Sequence, residues 1–85
     1  MYKREQVAEE FLKAVAKAFM GEIEYYSNNL QLNMHSDLHT ESVHLLVIGA
    51  SMEEEFDLEL DIDDFLASVT TLESGIDYVY SKVAS

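Results

Sequence analysis

The chain has 85 residues, 48% hydrophobic and 11% aromatic, with no cysteine and a formal net charge of −12. One domain spanning 1–85 is expected, because a chain this short buries only about 60% of its unfolded surface, and its apolar content is enough to exclude disorder. The missing cysteine excludes disulfides, thiolate metal ligands and a cysteine nucleophile, and fits a reducing, cytoplasmic setting.

Charge is unevenly distributed. Lys3, Arg4, Lys13 and Lys17 stand near the start, Lys82 near the end, and no lysine or arginine lies between. Such a stretch repels phosphate backbones and anionic lipid, so neither nucleic acid nor membrane is an expected partner. The longest uninterrupted apolar run, 45–50, is far below the roughly 20 residues that span a bilayer, and no basic segment leads into an apolar run as an export signal would. A monomer is expected.

In chain order, Val7, Phe11, Ala14, Val15, Ala18 and Phe19 recur every three or four residues, which predicts a helix over 4–20 ending near Gly21. Residues 25–40 mix Ser, Asn and His with isolated apolar residues, which predicts a long loop pinned by Leu30, Leu32 and Leu38. A second helix is expected over 42–56, with Val43, Leu46, Ala50 and Phe56 facing inward and Glu53, Glu54 and Glu55 forming a solvated end. A link follows, with a short helical turn over 63–67 preceded by Asp61 or Ile62. Thr70 with Glu73 forms a capping-box pattern, and Leu72, Ile76, Val79 and Val83 share one face of a last helix. With no proline, no repeat and no alternating strand pattern, the expected fold is all-α, a four-helix bundle with one short helix and a long loop between the first two helices.

Ser42 stands where that loop enters the most hydrophobic helix, so its hydroxyl belongs to a first turn whose free N–H groups and dipole favour an anion by about 0.3–1 kcal/mol. The segment Asp37, Leu38, His39, Thr40, Glu41, Ser42, Val43, followed by Phe56, resembles the acyl and peptidyl carrier protein family, whose pattern is Asp-Leu-Gly-x-Asp-Ser-Leu and then a helix closing in glutamates and phenylalanine. The stretch from Met52 to Leu60 is similar to the end of that helix and the following loop. Val69, Thr70, Thr71 and Leu72 with Gly75, Ile76, Asp77, Tyr78 and Val79 are similar to the family's last helix.

The resemblance implies a four-helix carrier domain that catalyses nothing itself. A phosphopantetheinyl transferase would attach 4′-phosphopantetheine from coenzyme A to Ser42, flanked by Glu41 and Val43. The arm's thiol would carry thioester-bound acyl groups among loading, condensing or other acyl-processing enzymes of fatty-acid, polyketide or related biosynthesis. The reactive sulfur would then arrive with the cofactor. Partner enzymes would dock on Val43, Leu46, Val47, Ala50, Glu53 and Glu54. The chain departs from the family pattern at His39 in place of glycine, at Glu41 and Val43, and at His44 and Val47, where acidic groups are common. If that glycine has positive φ, histidine takes the conformation only at a cost. The alternative is an acidic adaptor that keeps the fold, lacks the modification and acts through protein contacts alone.

Other constellations carry less. His35, His39 and His44 lie close in sequence, but His35 and His39 would share a face only in a helix and fall instead in the loop, so no metal is expected. Protonated His39 or His44 could instead meet the arm's phosphate. Asp37, a histidine and Ser42 supply the residue types of a hydrolytic triad without a glycine-rich elbow. A calcium loop beginning at Asp57 would need glycine and glutamate where Ile62 and Ser68 stand.

Overall fold

Helix α1 (Arg4–Phe19) turns Val7, Phe11, Leu12, Ala14 and Val15 inward. Its first turn is held by the Lys3 N–H donating to Gln6 Oε1 at 2.8 Å. It ends where Met20 takes the left-handed conformation at φ 57° and the Gly21 N–H bonds back to the Ala16 carbonyl at 2.9 Å, consuming an orphan acceptor. The computed structural model describes residues 2–84.

The remaining elements are α2 (Ile23–Ser27), α3 (Ser42–Phe56), α4 (Ile62–Ser68) and α5 (Leu72–Ala84). The all-α expectation holds, with an isolated antiparallel bridge between Asn33 and Thr71 and no strand among the described residues. The helix number does not: among the described residues there are five, because 23–27 forms a helix that overlaps the start of the stretch expected to be a loop. Five residues are too few to display a 3.6-residue period. What holds α2 is tertiary: Tyr26 is buried in the core cluster, while Tyr25 stays exposed.

Helices α1 and α3 run antiparallel, since Tyr2 just before α1 meets Phe56 at the end of α3 with ring centroids 4.8 Å apart, and Phe19 meets His44 at 4.6 Å. Between them and α5 lies one cluster of buried side chains that includes Phe11, Met34, Ile48, Met52, Phe65, Leu72 and Ile76. Arg4 adds a surface tie from α1 to Asp77 on α5 through two bonds of 2.9 and 2.6 Å. An exposed pair of that kind contributes about 0–1 kcal/mol, so the core carries the association.

Two local expectations are corrected. The inward face of α3 is Leu45, Ile48, Gly49, Met52 and Phe56, not Val43, Leu46 and Ala50. Both sets repeat at helical spacing on opposite faces, so periodicity alone cannot choose between them. The cap of α5 is Thr71 with Ser74, one residue on from the Thr70 and Glu73 pattern: the Ser74 N–H donates to Thr71 Oγ1 at 3.1 Å and the Thr71 N–H to Ser74 Oγ at 2.9 Å. Glu73 instead accepts from Gln31 Nε2 at 2.9 Å, tying the loop to α5. Of the two residues expected before α4, Asp61 is the cap, accepting from the Asp64 N–H at 3.0 Å, and Ile62 is already helical. Among the described residues, no helix is long and apolar enough to cross a membrane.

Candidate functional site

The segment 28–41 that delivers Ser42 is built from backbone bonds and one buried plug. The Asn33 side chain accepts from the His35 and Ser36 N–H groups at 2.8 and 2.9 Å, and the Asp37 carboxylate accepts from the Asn33 N–H at 2.8 Å. Met34 is fully buried; its N–H donates to the Thr70 carbonyl at 2.7 Å, and its own carbonyl accepts from the Thr40 N–H at 2.8 Å. The Leu72 and Glu73 amides bond back to Leu32 and Leu30 at 3.2 and 3.0 Å. The loop is therefore fastened to the start of α5. Leu30, Leu32 and Leu38 pack against the core as expected, but Met34 is the deepest anchor.

Between this anchor and α3 the chain turns at His39, whose φ is 52°. That left-handed conformation is the one glycine takes freely, so a side chain there costs about 1–2 kcal/mol. Next to it, Thr40 Oγ1 is buried with no hydrogen-bond partner, the single such side-chain atom among the described residues.

Ser42 is the first residue of α3 and is exposed. Glu41, extended at φ −99° and ψ 164°, is the cap, and its N–H donates to His44 Nδ1 at 3.0 Å. Within the described residues the Ser42 hydroxyl and the Ser42 and Val43 amides meet no protein partner. The position thus combines a free hydroxyl, two unsatisfied donors and the positive end of a helix dipole. These features fit a phosphodiester on Ser42.

From Ser42 an apolar stripe runs outward along α3. Val43, Leu46 and Val47 are 56%, 45% and 49% exposed, and Ala50 continues the line at the same helical spacing. Glu54 extends it as an exposed acidic end. Glu53 does not join it: the side chain is half-buried, and its carboxylate accepts from the Leu60 N–H at 2.9 Å, bracing the link into α4. Val43, Leu46, Val47, Ala50 and Glu54 thus share an exposed face, while Glu53 has a local structural partner.

The three histidines are dispersed over separate tasks. His35 Nε2 lies 3.3 Å from the Val69 carbonyl oxygen, His39 makes the turn, and His44 caps α3 while its ring lies against Phe19. No group of three or more His, Asp or Glu suited to a metal ion occurs among the described residues. Asp37 is engaged by the Asn33 amide and His44 Nδ1 by the Glu41 amide, so neither is hydrogen-bonded to Ser42. Two surface grooves run between α1 and α3, both lined by Lys17, Ser51 and Glu55, more than two helical turns from Ser42.

Sequence reasoning missed Asn33, Met34 and the His44 cap. An asparagine followed by Ser36 and Asp37 is the composition of a side-chain-closed turn, which was the available signal. A scan against protein-family models finds no match to this chain, and a search of curated proteins finds no relative. The class defined by fold and site is an all-helical protein with an unpartnered serine at the start of its central helix, beside an exposed apolar stripe.

Proposed function

We propose that this chain is an acyl carrier protein that bears 4′-phosphopantetheine on Ser42. The observation that carries this reading is Ser42 itself: an exposed hydroxyl at the first position of α3, with its own and the Val43 amide unsatisfied, just after a loop fastened at Met34. Loading would join Ser42 Oγ to phosphorus of coenzyme A, with loss of the hydroxyl proton to a transferase base and departure of adenosine 3′,5′-bisphosphate. When bound, the arm would supply a thiol that holds an acyl group as a thioester.

The chain's own residues would do the rest. The two free amides and the helix dipole favour the diester's charge, while Glu41 beside it opposes that charge. Val43, Leu46, Val47 and Ala50 offer apolar area next to the attachment point, and Glu54 an acidic flank, which together fit a partner surface that is apolar with basic edges. A noncatalytic acidic adaptor is the second reading, favoured by the same stripe, which needs no arm in order to dock.

Intact mass after incubation with coenzyme A and a phosphopantetheinyl transferase separates the two. One arm gained by the wild type and none by Ser42→Ala is the expected result. No gain with transferases of broad specificity would leave the adaptor.

A further inference from the structure

The hydrogen bond at the start of α3 has a chemical condition attached. Because the Glu41 N–H donates to His44 Nδ1, that nitrogen must carry its lone pair, and the proton of the neutral ring sits on Nε2. Protonation of Nδ1 would leave two donors facing each other and open the cap. The ring is also held laterally, half-buried against Phe19 at 4.6 Å and 32°. Two independent contacts therefore fix one side chain, and Ser42 lies between the two residues that the cap joins.

We infer that His44 is a positioning residue for Ser42, holding the first turn of α3 only while its Nδ1 is unprotonated. Glu41 is the charged group at this cap. Helix α1 brings Phe19, which is uncharged, and the negative end of its dipole; the nearest α1 lysine, Lys17, lines the groove beside Ser51 and Glu54 farther along α3. A glutamine at this position would serve the cap at every pH, since its amide oxygen accepts without titrating. Histidine makes the cap conditional. The consequence for loading rests on the carrier reading; the consequence for the helix start does not.

The test has two arms. In the first, the Glu41 amide and the His44 ring are followed by NMR from about pH 8 to pH 5 in the wild type and in His44→Gln. The Glu41 amide is expected to move with the His44 titration and to lose that response in the variant; a Glu41 amide indifferent to His44 overturns the inference. In the second, the phosphopantetheine transfer rate is measured over the same range as the ratio of wild type to His44→Gln, which cancels the transferase's own pH dependence. That ratio is expected to fall about fivefold as His44 protonates, the population equivalent of one lost cap, with His44→Ala slow throughout. A flat ratio overturns the positioning role. If Ser42 accepts no arm in either protein, the carrier reading falls and takes the loading role with it, while the amide response still decides the cap.

Discussion

The backbone of Gly75 on α5 lies directly against the ring of Phe11 on α1, so close that a Cβ at position 75 would overlap the ring carbons. Phe11 is fully buried and cannot swing aside without disturbing the core. This contact sets how closely α1 and α5 approach.

Gly75→Ala is accordingly expected to destabilise the protein, although alanine is the better helix former by about 1 kcal/mol. Overpacking a core costs about 1–3 kcal/mol, and here it exceeds the propensity gain. A urea midpoint below that of the wild type is the expected result. A higher midpoint would mean that α5 can slide off Phe11 at little cost.

At position 39 the sign reverses. His39 holds φ 52°, so His39→Gly removes a steric penalty of about 1–2 kcal/mol and adds unfolded-state entropy of about 0.5–1 kcal/mol. A net stabilisation of about 0.5–1 kcal/mol in denaturant unfolding is expected. If the variant proves less stable, the imidazole makes a compensating contact.

Glu53 and Glu54 are expected to separate by function. Glu53→Ala strands the half-buried Leu60 N–H and should cost about 1–2 kcal/mol of stability. Glu54→Lys touches no such bond and should leave stability within about 0.5 kcal/mol, while, under the proposed carrier function, slowing transfer to partner enzymes that recognise an acidic flank. Unchanged partner rates for Glu54→Lys would remove the acidic end from the proposed docking surface.

The Tyr78 hydroxyl donates to Asp64 Oδ2 at 2.8 Å, linking α5 to α4. Burial, followed by this bond and the Asp64 charge, pushes the phenol up to about 12 from its ordinary 10.0. The folded state therefore favours the neutral phenol. Its contribution is fully present below pH 10.0 and is lost as pH rises toward about 12. Unfolding midpoints across that interval should fall more steeply in the wild type than in Tyr78→Phe. At neutral pH the variant should lose about 0.5–1 kcal/mol, the low end for a hydrogen bond because Asp64 is exposed.

The helical class, the stripe of α1, the Asp61 cap of α4 and the inner face of α5 were legible in the residues, because each depends on side chains within a turn of one another. Ser42 at a helix start was legible for the same reason. The inner face of α3 was not. Two apolar rows of equal spacing compete there, and only the packing of Ile48 and Met52 into the core, with Val43, Leu46 and Val47 left outside, settles which is which.

In the stretch before Ser42 only the Asn33 turn is local; the rest of its order comes from partners far along the chain: Met34 against Thr70, Leu32 against Leu72, Gln31 against Glu73. By itself, then, the sequence determined the longer helices and that a serine opens the central one, both matters of short-range periodicity and capping, whereas the five residues of α2 escaped it. Tertiary structure alone decided that the His44 ring closes over Phe19, that Met34 plugs the core beneath the loop, and that Val43, Leu46 and Val47 stay outside. Those outcomes depend on where distant segments meet, which no local pattern encodes.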